Sequence, residues 1–200
     1  MHNKTILSLF DYSGRWSSPY KEAGYDVYQV DIKLGLDILS LEPRDLPFDS
    51  VYGILAAPPC TDFAGSGAQY WKVKDADGRT EASLALIDKT LSLVEYYKPV
   101  FWALENPVGR LPTLRSVLGK PWYFNPVEYS GWLEGEESDR ECYTKRTGIW
   151  GIFNKPDKKP REVIKGCNPI MSLGGKSERT KELRSMTPLG FSKAFFLANQ

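Results

Sequence analysis

Three short stretches hold residue types that can do chemistry together. Val51-Tyr52-Gly53-Ile54-Leu55 reads as a strand that runs into Ala56-Ala57-Pro58-Pro59-Cys60. Proline donates no N–H to a sheet ladder, and the residue before a proline is pushed out of the helical region. Pro58 and Pro59 therefore end the strand and deliver Cys60 at the lip of the sheet, where the ligand crevices of open α/β sheets lie. A thiolate there can act as a covalent nucleophile. Val100-Phe101-Trp102-Ala103-Leu104 reads as a second buried strand and ends in Glu105-Asn106-Pro107, which puts a carboxylate at another strand exit. Thr144-Lys145-Arg146-Thr147 leads into a strand from Gly148 to Phe153, with basic residues at its mouth. Each has a plain alternative when taken alone: a small buried hydrophobe, a strand-end salt bridge, a surface cation. Brought to one sheet edge, they would combine a nucleophile, an acid–base group and a cation.

The elements that must position them alternate between strand and helix. Thr5 to Phe10 reads as a strand broken by Asp11-Tyr12-Ser13-Gly14, a turn-forming cluster. Ser17-Ser18-Pro19 starts a short helix that Gly24 ends, and Tyr25 to Asp31 is a second strand closing on an acid. Strand, glycine-bearing turn, helix, strand, acid is the plan of a nucleotide-binding βαβ unit. Asp31 stands where an acid can take a ribose hydroxyl. An ordinary α/β turn with a solvated aspartate fits this segment equally well, because Gly14 stands alone where the full motif has three glycines. Glu81 to Tyr97 is a helix, with Leu84, Ile87, Leu91 and Val94 at helical spacing, Thr80 as its cap and Pro99 as its stop. That stripe reads as core. Ala64 to Ala68 is a small-residue loop able to move, and Tyr70 to Arg79 an exposed loop. Leu114 to Leu118 is a short helix and Trp122 to Tyr129 a strand. Gly135 to Glu141 is a solvated acidic turn, and Asn154 to Lys165 an exposed connection. Gly174 to Arg184 is a basic, mobile segment. Thr187-Pro188 opens a final amphipathic helix anchored by Phe191, Phe195 and Phe196.

Bulk composition narrows the function classes. The 200 residues make one domain able to bury a real core, and 42% hydrophobic with 26% charged residues is ordinary for a globular chain. A net charge of +1 announces no strong field toward nucleic acid, although a local basic stripe remains open. Three widely spaced cysteines, Cys60, Cys142 and Cys167, fit a reducing cytoplasm better than a disulfide scaffold or a zinc cluster. His2 is the only histidine, which excludes histidine-based triads and most histidine-rich metal sites. No run is long and apolar enough to span a membrane, and Met1-His2-Asn3-Lys4 begins no signal-peptide pattern.

Taken together, the motifs resemble, in order along the chain, those of the cytosine-C5 DNA methyltransferases that use S-adenosylmethionine. Leu9-Phe10 with Gly14 is similar to the family's first glycine motif, with Tyr12 in place of its first glycine. Asp31 resembles the acid that takes the ribose, and Asp37-Ile38 the pair that meets the adenine. Pro58-Pro59-Cys60 matches the catalytic Pro-Pro-Cys motif. Glu105-Asn106-Pro107 is similar to Glu-Asn-Val, and Thr144-Lys145-Arg146 to Gln-x-Arg-x-Arg, keeping the first arginine and losing the second to Gly148. The segment from Ser185 resembles the helix that folds back beside the first motif.

The resemblance implies an α/β fold: a single Rossmann-like methyltransferase domain over 1–200, with a mostly parallel central sheet. It implies S-adenosylmethionine as cofactor, held by Phe10, Asp11, Gly14, Asp31, Ile32, Asp37, Ile38 and Pro58. It implies Cys60 as nucleophile, Glu105 as the group holding the cytosine amino group and N3, and Arg146 as the cation that orients the site. A nearby Arg146 or a helix N-terminus is also expected to lower the pKa of Cys60. The family's large target-recognition region is reduced here to about 151–184. Such compact chains are expected in bacteriophage or prophage, acting in the cytoplasm of a bacterial host cell. DNA is the expected partner. The same chemistry on a free cytosine nucleotide or RNA stays open, as does a catalytically degenerate homologue that binds a nucleotide or a partner.

Overall fold

Six strands form one sheet in the order β2-β1-β3-β4-β6-β5. The structure is a computed structural model that describes residues 4–168 and 178–200, with backbone only at 178, 179 and 181. The strands are β1 (Thr5–Leu9), β2 (Asp26–Val30), β3 (Gly53–Ala56), β4 (Phe101–Pro107), β5 (Trp122–Phe124) and β6 (Thr147–Ile152). β1 pairs in parallel with β2 and β3, and β3 with β4. β6 is antiparallel to both of its neighbours, β4 and β5. The expected α/β fold with a mostly parallel sheet is thus present. One consequence of the antiparallel strand matters for the site: β6 starts where β4 ends, with Thr147 opposite Pro107 and Gly148 opposite Asn106.

Helices cover both faces. They are α1 (Ser18–Glu22), α2 (Trp71–Ala76), α3 (Arg79–Tyr97), α4 (Leu111–Leu114), α5 (Gly135–Arg140), α6 (Glu178–Ser185) and α7 (Leu189–Ala198). α3 lays Leu84, Ile87 and Leu93 on one face of the sheet, against Leu7, Leu9, Ile54, Leu104 and Trp150. α1 and α7 lay Tyr20, Phe191, Ala194 and Phe195 on the other, against Ile6, Leu55, Phe101, Ala103 and Ile149. This two-sided cover explains why β1, β3 and the first half of β4 read as nearly continuous apolar runs, with the polar residues held back to their exits.

Several expectations are corrected by the structure. The stretch Tyr70 to Arg79 holds a helix, α2, with buried Lys74 at its centre. Gly78, at φ +82°, turns the chain from α2 into α3, so Thr80 lies inside α3 and its hydroxyl donates to Asp75. The strand expected over Trp122 to Tyr129 stops at Phe124, because Pro126 begins a 3₁₀ turn. The acidic turn Gly135 to Glu141 is a helix whose last acid is buried: Glu141 accepts the N–H groups of Leu189 and Gly190 at the start of α7 and pairs with Arg15 at 3.2 Å. The Gly174 to Arg184 segment is helical from Glu178, and its earlier part lies outside the described residues. Among the described residues no helix is long and apolar enough to cross a membrane, and no group of three His, Cys, Asp or Glu could hold a metal ion.

Candidate active site

The loop that carries Cys60 is built by backbone bonds within itself and to the loop after β4. The amides of Phe63 and Ala64 donate to the Cys60 carbonyl at 3.0 and 2.9 Å, closing a turn directly behind the thiol. Asn106, fully buried, donates from Nδ2 to the Pro58 carbonyl at 3.2 Å. Further on, Gly65 N–H donates to Val108 O, and Arg110 N–H to Phe63 O. Gly109 makes this approach possible: a Cβ there would sit 1.9 Å from the Phe63 carbonyl oxygen. Pro58-Pro59-Cys60 and Glu105-Asn106-Pro107 are therefore bonded into a single piece. The small-residue stretch after Cys60, expected to be free to move, is pinned at Ala64 and Gly65 and continues as a 3₁₀ helix from Gly65 to Tyr70.

A buried polar cluster braces that loop from below. Asp62 accepts from Ser83 Oγ at 2.6 Å and pairs with Lys74 Nζ at 3.1 Å. Arg110 Nε donates to the Asp62 carbonyl, and its guanidinium grips Asp75 with two bonds while lying over the Trp71 ring at 4.8 Å. Two buried charges are stable here because each has an opposite charge and hydrogen bonds to meet it. This bracing is hard to see in sequence, since Asp62 and Lys74 are 12 positions apart in a stretch that looks solvated.

Electrostatics at the site run against ionisation. Burial pushes the Cys60 thiol up, the neighbouring Glu105 carboxylate pushes it further, and Lys145 opposes both. Burial likewise raises Glu105, with Lys145 again the opposing charge. The expected lowering of the Cys60 pKa is therefore absent in the free protein, where thiol and carboxyl are both held toward their neutral forms. The expected cation, Arg146, is exposed, and its guanidinium lies over the Tyr123 ring at 4.1 Å. The positive charge that reaches Cys60 and Glu105 is that of the neighbouring Lys145, while Arg146 lies against the Tyr123 ring.

Beside this site lies the turn after β1. Phe10 takes φ +60°, a left-handed conformation rarely adopted by a side-chain-bearing residue, held by its N–H bond to Val30 O at 2.7 Å. Gly14 takes φ +67°. Asp11 is buried, and its carboxylate accepts from Ser8 Oγ, Ser17 Oγ and Ser17 N–H. Its carbonyl accepts from Gln29 and from Gly14 N–H. Asp11 builds the turn through Oδ2, while among the described residues Oδ1 accepts only from Ser13 Oγ at 3.4 Å. Asp31 and Asp37 each use one carboxylate oxygen to cap a following 3₁₀ turn, at Lys33 N–H and Leu39 N–H. Among the described residues nothing takes their second oxygens. Ile32 stands 71% exposed beside Asp31, while Ile38 is buried. A strained turn, two carboxylates with an oxygen to spare and an exposed apolar side chain suit a group with a ribose diol and a flat aromatic base. The donor set fits S-adenosylmethionine, with Asp11 bracing the turn through one of its oxygens.

No family model matches the sequence, and no curated protein matches it. Solved structures do. One is described as a DNA modification methyltransferase encoded within a prophage of E. coli: TM-score 0.41 at 19% identity, over 75% of this chain and 47% of that one. Another is the Entamoeba histolytica methyltransferase EhMeth: TM-score 0.44 at 10% identity, over 90% of this chain and 62% of that one. This chain thus spans about half to three fifths of the length of these structures.

Proposed function

We propose that the protein transfers a methyl group to C5 of cytosine in DNA, through a covalent adduct at Cys60. The observation that carries this reading is the joining of a cysteine and a half-buried carboxyl at one sheet edge, through the Asn106–Pro58 bond. S-adenosylmethionine, when bound, supplies an electrophilic methyl on a sulfonium. The turn Phe10 to Gly14 with Asp31, Ile32, Asp37, Ile38 and Pro58 would hold it.

Cytosine C5 is a poor nucleophile, and covalent addition makes it reactive. The Cys60 thiolate adds to C6, and electron density moves toward C5 while N3 takes a proton. Glu105 suits that transfer. Burial favours its neutral form, in which it would donate a proton to N3 and accept from the amino group with its other oxygen. Once C5 carries the methyl group, water takes the C5 proton, the N3 proton returns to Glu105 and the C6–S bond breaks, freeing Cys60 as thiolate. Arg146, at the exposed mouth of β6, is placed for a cation that meets phosphate.

A second reading keeps the chemistry and changes the target to a free cytosine nucleotide or RNA. It is favoured by the stretch from Phe153 to Asn168, which holds no helix or strand, so the described residues contain no separate target-reading unit. A base in a duplex must be flipped out and its place filled, which takes protein this chain has little of. Incubation with labelled S-adenosylmethionine and duplex DNA, single-stranded DNA, RNA or dCMP separates the readings. Label on DNA is expected, and Cys60→Ser should abolish it. Label on dCMP or RNA alone would replace the first reading with the second. Folded protein that transfers to none of them would leave a nucleotide- or partner-binding homologue.

A further inference from the structure

We propose that Lys145, rather than Arg146, is the cation that governs the charge state of the Cys60–Glu105 pair. The proposal rests on the reading above for its purpose, and on strand geometry for its assignment. In an antiparallel pair, residues directly opposite one another project to the same face, and alternate residues share a face. Glu105 lies opposite Ile149. Thr147, two residues back from Ile149, shares that face and begins β6, and Lys145 lies in the connection just before it. Arg146 lies over the ring of Tyr123, which stands opposite Gly148 in the other set, with Trp150. The core confirms the division: Ile149 and Ala103 pack on the α1/α7 side of the sheet, Trp150 and Leu104 on the α3 side.

The surroundings of the two cations agree with this parity. Arg146 is exposed and engaged with the Tyr123 ring. Lys145 is half-buried, and its Nζ donates to the Arg184 carbonyl at 2.9 Å, near the C-terminal end of α6. That neutral acceptor leaves the ammonium its full charge and two further N–H donors. No described carboxylate lies within 4.0 Å of it. The other charged groups facing Cys60 are Glu105 and Asp62, and Asp62 is already neutralised by Lys74. Tyr143 also faces Glu105. Lys145 is then the positive charge left to favour the thiolate, acting across space as a positioning residue.

The test reads the thiol directly. The rate of Cys60 alkylation by iodoacetamide is followed against pH in the full chain, by mass spectrometry of the Cys60 peptide. Wild type is compared with Lys145→Met, Lys145→Gln, Lys145→Arg and Arg146→Met. The expected result is a roughly threefold to tenfold slower alkylation at pH 8 in Lys145→Met and Lys145→Gln, with the titration moved upward. Lys145→Arg should restore it, and Arg146→Met should leave it within about twofold. The Gln variant keeps a donor for Arg184 O and carries the test should the Met variant fold poorly. A slowed Arg146→Met beside unchanged Lys145 variants would overturn the assignment. Alkylation needs no methyl transfer, so a protein inert toward every cytosine substrate would sink the proposed function and leave this result to stand or fall by itself.

Discussion

A carboxyl withdrawn from water resists ionisation, and half-buried Glu105 offers a test of it. Its pKa in the folded chain stands above the ordinary 4.5 because burial disfavours the charge. Stability contributed by the neutral carboxyl is whole below the unfolded value and is lost as pH rises through the raised one. Glu105→Gln, a neutral near-isostere, is therefore expected to match wild type in Tm near about pH 4 and to exceed it near about pH 8. Calorimetry across that range checks it; a Gln variant less stable at the higher pH would contradict the desolvation argument. Cys60 and Glu105 were legible in the sequence because type and place coincide: each follows an apolar strand that ends in or beside proline. The proposed preference for Lys145 over Arg146 was not legible, since it rests on the engagement of Arg146 with the Tyr123 ring and of Lys145 with the Arg184 carbonyl, contacts that no local pattern announces.

At the level of elements, the decisive feature is the close approach of the loops after β3 and β4. Gly109 permits it, and Gly109→Ala would drive a methyl group into the Phe63 carbonyl. Rigid backbone cannot give way as a side-chain tip does, so a loss of about 1–3 kcal/mol is expected, measured by urea unfolding. The Cys60 thiol should also change its alkylation rate, and a variant unchanged in both would show that the loops tolerate separation. The strands, α1, α3 and α7 were readable from apolar runs, helical spacing and proline or glycine punctuation. Helix α2 was not, because its sequence, Trp71-Lys72-Val73-Lys74-Asp75-Ala76, is polar and its stabilising partners are distant. Lys74 meets Asp62, and Asp75 meets Arg110, contacts that no local pattern announces. Glu141 escaped notice for a similar reason: it closes a run of acids on a surface helix yet turns inward to hold the start of α7.

Across the whole molecule, an aromatic layer fastens α1 and α7 to the far edge of the sheet. Phe191 is fully buried, stacked on Phe124 at 3.9 Å and set edge-on to Tyr129 at 5.3 Å. Trp16, from the turn before α1, packs on it at 6.2 Å. Phe191→Ala should cost about 3–5 kcal/mol in equilibrium unfolding, in one transition, because the cavity opens between three parts of the fold. A shallow loss or a separate early transition would mean that α7 is attached more loosely than this packing implies. A net charge of +1 adds little general attraction for phosphate, so the proposed contact with DNA would rest on local cations such as Arg146. The paired bonds between the Cys60 loop and the β4 loop also bear on how the molecule breathes. Gly65 N–H reaches across to Val108, and Arg110 N–H reaches back to Phe63, so neither loop can lift without breaking the other's bond. In heavy water the two amide protons should exchange as one cooperative unit, at matching rates. Rates that part company would place a hinge between the Cys60 and Glu105 loops, and their separation would then be a variable of the proposed reaction instead of a constant of the fold.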